Sequence, residues 1–359
     1  MRTAIILSAV FATPALAEPP RVVADILPVH SLVARVMEGV GVPDLILPPG
    51  ASPHGFSMRP TQAAAIEGSD IVFWVGDGLT PWLAEPLEVL AADAAYIALL
   101  EVPGVAVIEV SGDGDGHHDD EDDHGDHEGE AHDDEEHAHD HDDHKDEHDD
   151  HAGHDDHAHD DHAHDDHKDE HDDHDHDDHD DHAGHDHGPI DPHAWLDPAN
   201  AVVWLNVIAE TLSEADPDNA AIYRANAAAG VKDLSALTDD IQTTVAALSD
   251  RPFAVYHEAY AYLAQATGIA PSFSMLNTDA DLPTPRRIAA LRDRAIDQNV
   301  TVIFSEPGTN SSLIDTVFEG LSVTTCEIDP LGANLPAGPN QYWQSLLQIS
   351  RIMGGCGAS

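Results

Sequence analysis

Apolar positions along this chain alternate between two periods. Short runs read as buried strands: Val22 to Ile26, Leu45 to Leu47, Ile71 to Val75 and Val105 to Ile108. Between them the spacing is helical, over Ser31 to Glu38, from Pro60 through Ile66, and over Pro81 to Ala92 with a proline in the first turn. The pattern stops at Asp113 and resumes after Gly188. Asp197 to Leu212 then reads as a helix with Trp204, Leu205, Ile208 and Leu212 on one face. A second helix, opened by Asp216-Pro217, runs to about Leu248, with Gly230 as its weak point. A helix of about 30 residues spans about 45 Å, longer than one lobe needs. Beyond it the alternation returns. Strands are predicted over Phe253 to Tyr256, Ile269 to Met275 (broken at Pro271), Val300 to Phe304 and Val323 to Cys326. Helices are predicted over Ala259 to Ala266, Pro285 to Asn299, Ser311 to Glu319 and Gln341 to Met353.

Strand and helix in turn predict an α/β fold of two lobes, each a mostly parallel sheet flanked by helices, bridged by one long helix. The expected boundaries are an N-terminal lobe over 18–215, interrupted at 113–188, a linker helix over 216–248 and a C-terminal lobe over 249–359. Residues 1–17 read as a secretory signal: Arg2, an apolar run from Ala4 to Thr13, and the small-x-small site Ala15-Leu16-Ala17. That run is too short to span a bilayer, and no cysteine follows the site to carry a lipid. The expected location is a bacterial periplasm.

Composition alters this picture at the interruption. Of the 28 histidines, 24 lie between Asp113 and Gly188, among 37 acidic residues and two lysines. The tract therefore carries −35 of the formal −55, which leaves the folding part acidic but ordinary. A segment with almost no apolar residues cannot form a core, so disorder is expected when it is metal-free. A polyanion of this kind repels nucleic acid and attracts cations, which sets nucleic-acid binding aside. The two cysteines, Cys326 and Cys356, read as a disulfide in an oxidising compartment rather than as two thiols or a metal pair.

The four histidines outside the tract carry more information than the 24 within it. His54 follows a predicted strand in Pro-Gly-Ala-Ser-Pro-His-Gly-Phe, a stiff loop of the kind that holds ligands beyond strand carboxyl ends. His193 lies between two Asp-Pro steps, where Asp191 or Asp197 can orient its ring. His257 ends the strand that begins at Phe253. His30 precedes a helix and reads first as structural. Asp329, after the last strand, is a candidate fourth ligand with a turn role equally open, and Glu306 is a lesser candidate. Three histidines at three strand ends, drawn from both lobes, suit tetrahedral Zn²⁺, with an acid or water in the fourth position. His257-Glu258-Ala-Tyr-Ala261 lacks the second histidine of a zinc-protease helix, so protease is rejected.

These motifs carry a family resemblance. The runs Pro53-His54-Gly55-Phe56 with Arg59-Pro60, Asp191-Pro192-His193-Ala194-Trp195-Leu196-Asp197-Pro198, Tyr256-His257-Glu258-Ala259-Tyr260 and Asp329-Pro330-Leu331-Gly332 resemble the cluster A-1 (cluster 9) metal-binding proteins of ABC importers. The resemblance covers essentially the whole mature chain and implies two α/β lobes bridged by a long helix. It implies His54, His193 and His257 as zinc ligands, because the manganese branch carries a carboxylate at the third point. Some relatives have a glutamate before the first histidine where this chain has Pro53, which leaves Asp329 or water to complete the site. The implied function is capture of Zn²⁺ by a monomer that delivers it to an importer's membrane permease, with a periplasmic zinc chaperone as a further partner and the tract as a collector. Two other classes stay open on the residues: a zinc buffer whose function is the tract, and a zinc metallohydrolase with Glu258 or Glu306 as base.

Overall fold

The computed structural model describes residues 18–110, 190–279 and 281–357. The signal segment expected at 1–17 and the tract expected at 113–188 lie outside the described residues. The first lobe runs β1 (Val22–Ala24), α1 (Leu27–Val36), β2 (Asp44–Leu45), α2 (Pro60–Glu67), β3 (Ile71–Trp74), α3 (Pro81–Leu90) and β4 (Ala95–Ala98). Two helices follow, α4 (Pro198–Ala215) and α5 (Ala220–Val245). The second lobe runs β5 (Phe253–His257), α6 (Ala261–Thr267), β6 (Phe273–Leu276), α7 (Pro285–Asp297), β7 (Val302–Ser305), α8 (Ser311–Val317), β8 (Thr324–Glu327) and α9 (Gln341–Gly355).

Each lobe is a four-stranded sheet, ordered β2-β1-β3-β4 in the first and β6-β5-β7-β8 in the second. Every pairing is parallel. In both sheets the chain leaves the first strand to one side and returns on the other, so each has a switch point, between β1 and β3 and between β5 and β7. Ligands of such sheets bind beyond the strand carboxyl ends at that point. In the first lobe the point is pinned by Asp25, whose buried carboxylate accepts the N–H groups of Ile26 and Val75, both at 2.7 Å. Burial pushes the Asp25 carboxyl up to about 7, against the pull of those hydrogen bonds. The Leu47 N–H reaches the Asp25 carbonyl at 2.9 Å and starts the loop that carries His54.

One expected strand is corrected. Val105 to Ile108 form no sheet strand, and the fourth strand of the first lobe is β4, just beyond the helix predicted over Pro81 to Ala92. The reason lies in how the later segment satisfies its backbone. Ala106 exchanges hydrogen bonds with the Asn200 side chain (2.8 and 3.0 Å), and the Ile108 N–H reaches the Tyr262 hydroxyl at 3.1 Å. Side chains here occupy the place of a neighbouring strand, and nothing in an apolar run of four residues signals that.

The long helix is shorter than its apolar pattern suggests. A 3-10 turn over Ala246–Leu248 finishes it, and the 26 residues of α5 span about 39 Å. Its buried stripe, Tyr223, Ala227, Gly230, Leu234, Leu237, Ile241 and Val245, steps by three and four residues. That stripe packs against α1 and α4 from the first lobe and against α6 and α9 from the second. Gly230 marks a close approach: a Cβ there would lie 3.1 Å from Leu205 and 3.4 Å from Trp343. The residue that weakens the helix by propensity therefore lets three helices approach. Arg35 on α1 fastens the same region, paired with Asp233 on α5 and stacked 5.3 Å from the Trp343 ring on α9. One continuous apolar core extends from Val33 through Trp204 and Tyr223 to Phe304 and Met353. Cys326 at the end of β8 is disulfide-bonded to Cys356 at the end of α9, as the sequence reading expects.

Candidate metal centre

His54, His193 and His257 come together across the cleft between the two sheets. Each is only 3% exposed. Each offers a ring nitrogen within 4.8 Å of the other two. The ring centroids form a triangle with sides of 5.2, 5.3 and 5.9 Å. His193 and His257 face each other through Nε2 atoms 3.4 Å apart. Two nitrogens held about 2.0–2.1 Å from a tetrahedral zinc ion are about 3.3 Å from each other, so this pair already has the spacing of zinc ligands.

The rings are aimed by carboxylates. Asp191 Oδ1 accepts from the His193 Nδ1–H at 2.7 Å and from the His193 backbone N–H at 2.9 Å. Glu306 Oε1 accepts from the His257 Nδ1–H at 2.7 Å and from the Tyr260 hydroxyl at 3.1 Å. A proton held on Nδ1 leaves the Nε2 lone pair free to point into the cleft, the tautomer a metal ligand needs. Facing lone pairs at 3.4 Å repel unless a cation or a proton lies between them. Tyr260 stays a donor, because burial and then the charge of Glu306 hold its hydroxyl well above the usual tyrosine range.

Each of the three histidines stands on stiff backbone. Trp82 on α3 donates from Nε1 to the Pro53 carbonyl at 2.8 Å and packs its ring on Phe56, which brackets His54. Tyr262 on α6 holds the Asp191 carbonyl at 2.8 Å. Trp195, two residues after His193, donates to the Pro330 carbonyl at 2.9 Å and so ties the His193 loop to the loop after β8. Asp197 caps α4 by accepting the Ala199 N–H at 2.8 Å, so of the two aspartates flanking His193 it is Asp191 that orients the ring.

The remaining candidates separate. Asp329 lines the same cleft, but its oxygens accept from Leu331, Gly332 and Ala333 N–H groups (2.9, 2.9 and 2.6 Å), and it lies outside the close triad. Glu306 is present as an orienting group on His257. His30 lies on α1, where its Nε2 meets the Pro43 carbonyl at 3.0 Å, and burial lowers its pKa. Glu258 is exposed and does not line the cleft. Two residues that sequence reading passed over, Ser52 and Asp279, also line it and are bonded to each other.

The electrostatics of His257 fix a pH dependence. Burial disfavours its charged form, but Glu306, then Asp279 and Asp191, outweigh burial and hold its pKa above the usual histidine value. In the metal-free chain this group stabilises the fold below about pH 6.5, and that contribution fades as pH rises through its folded value. Zinc requires the neutral ring, so its contribution runs the other way. The zinc-induced rise in Tm is expected to shrink as pH falls from about 8 to about 5.5, with the decline starting above about 6.5. Differential scanning fluorimetry with and without zinc measures it; a pH-independent rise would show that imidazole does not hold the ion.

Solved structures share this architecture. A crystal structure of ZnuA matches with a TM-score of 0.66 at 17% identity, covering 95% of this chain and 100% of that one. A ZnuA deletion mutant with zinc bound matches at 0.65 and 18% identity, covering 95% and 99%. The fold is thus the one that these two ZnuA structures share. Sequence narrows the class further. The family model ZnuA, zinc-uptake complex component A periplasmic, matches residues 22–353. The high-affinity zinc uptake system protein ZnuA of Paracoccus denitrificans is 38% identical over 96% of this chain and 94% of its own length. Its counterpart in Brucella abortus is 36% identical over 93% and 91%. The chain belongs to the ZnuA family.

Proposed function

We propose that this chain is the periplasmic zinc-binding component of a zinc ABC uptake system. It captures Zn²⁺ between His54, His193 and His257 and delivers it to the membrane permease. The observation that carries the reading is the pair of Nε2 atoms 3.4 Å apart, each on a ring whose Nδ1 is anchored by a carboxylate. The fourth position goes to Asp329 or to water, and an incomplete protein cage favours release to a second protein. The chain acts as a carrier and not as an enzyme. The cleft, at about 260 Å³, is smaller than the ~300–1,000 Å³ typical of sites for organic ligands. Glu306, the candidate base that lines it, is committed to His257 and Tyr260.

The segment 113–188 serves in this reading as a collector, binding several ions at lower affinity and raising their concentration near the cleft. The protein works as a monomer, with a periplasmic zinc chaperone as a further partner. Deletion of Asp113 to Gly188 separates carrier from buffer. Titration against a competing chelator is expected to give one tight site in both forms and weaker sites only in the full chain. Loss of the tight site on deletion would make the tract, rather than the triad, the functional element.

A further inference from the structure

A side-chain bridge that the ligand set does not explain joins the two lobes at the metal cleft. Ser52, two residues before His54 in the first lobe, donates its hydroxyl to Asp279 Oδ1 at 2.9 Å, in the loop after β6 of the second lobe. The same hydroxyl oxygen accepts the backbone N–H of His54 at 3.2 Å. Asp279 is thereby connected, through one hydroxyl, to the backbone of a metal-site histidine on the opposite lobe. The loop that presents it is tied down separately. Asp281 accepts the N–H groups of Asn277 and Thr278, each at 3.0 Å, and Arg287 on α7 holds the Asn277 side chain at 2.9 Å. Ser52 and Asp279 are both half-buried lining residues of the cleft, less buried than its three histidines.

We infer that Asp279 is a positioning residue for zinc, holding the His54 loop closed through Ser52 and so setting the rate at which the ion leaves. The inference rests on the zinc-carrier reading and deepens it. Zinc held by His193 and His257 alone keeps one ligand from each lobe, on rings that carboxylates already orient. The third is on a Pro/Gly-rich loop whose closed position the bridge maintains. Breaking the bridge removes the link between that loop and the Asp279 loop, which gives a docked permease a small local contact to disrupt. The two carboxylates on the Nδ1 atoms act by setting ring orientation. Asp279 acts by setting where the His54 backbone stands.

Stopped-flow capture of zinc by a chromophoric chelator tests it on the full chain. Ser52→Ala and Asp279→Ala are each expected to speed release about tenfold, equivalent to about 1.4 kcal/mol, with little change in the association rate. The double variant is expected to be no faster than either single one, because both remove the same bridge. Asp279→Asn keeps an acceptor for the serine hydroxyl and is expected to stay near the unmutated rate. The d–d absorption of bound Co²⁺ is expected to change in the two alanine variants, while the Tm of the metal-free chain does not. If Asp279→Asn and Asp279→Ala release zinc equally fast while Ser52→Ala is unchanged, Asp279 acts by its charge on the ion, and the bridge is overturned as the cause. Additive effects in the double variant would overturn it equally. Weak zinc binding by the unmutated chain would instead overturn the carrier reading itself.

Discussion

Alanine in place of His193 is expected to weaken tight zinc binding by at least about a hundredfold, or about 2.7 kcal/mol. Loss of an orienting carboxylate in a metal site typically costs ten- to a hundredfold, and loss of the ligand it orients costs more. His193 and His257 contribute the two nitrogens that already stand 3.4 Å apart, so neither can be replaced by a small movement of its neighbour. His54→Ala and His257→Ala are expected to have similar effects. His30→Ala serves as the control: it removes a buried imidazole bonded to the Pro43 carbonyl and should lower stability without changing zinc affinity. Competition against a chelator of known affinity, on the tract-deleted chain, reads all four. If His30→Ala proved the most damaging to affinity, the ligand set would be wrong.

Loss of the disulfide is expected to lower the stability of the metal-free chain by about 3–4 kcal/mol, the chain-entropy value for a closed loop of about 30 residues. Cys326 and Cys356 are 30 residues apart. The bond joins β8, an edge strand with largely exposed residues, to the end of α9, which packs against α1 and α5. Without it β8 keeps its pairing with β7 and its packing on α9, and the Asp329 loop that follows loses its nearest covalent anchor. Denaturant unfolding of the Cys326→Ser/Cys356→Ser variant, beside the unmutated chain under oxidising and reducing conditions, measures the effect. A change under about 1 kcal/mol would show that α9 is held by its apolar face alone. Zinc affinity is expected to fall much less than in the histidine variants, because none of the three rings is attached to β8.

Much of this structure is legible in the sequence, for identifiable reasons. Parallel strands buried on both faces leave continuous apolar runs, and β3, β5 and β7 are of that kind. Helices with proline in the first turn, such as α3, α4 and α7, announce their starts. β4 did not announce itself, since Ala95, Tyr96, Ile97 and Ala98 sit on an exposed edge and carry no buried-strand signature. Val105 to Ile108 did carry one, but Ala106 and the Ile108 N–H bond side chains from distant segments instead of a strand. The three histidines stood out because imidazole is scarce outside the tract and each follows a strand or a constrained turn. Asp191 was legible as one of two possible His193 partners, with Asp197, and the folded loop selects it. Glu306 meets His257 across 49 residues, and Ser52 meets Asp279 across 227. Only the folded cleft brings such pairs together, and no local spacing encodes them.

The central claim is that one zinc ion is held by three imidazoles at the cleft between the lobes. A crystal of the zinc-loaded, tract-deleted chain, measured on both sides of the zinc absorption edge, tests it most directly. The expected result is one strong anomalous peak about 2.0–2.1 Å from Nε2 of His193, Nε2 of His257 and a ring nitrogen of His54. A peak elsewhere on the chain, with none among these three rings, would contradict it.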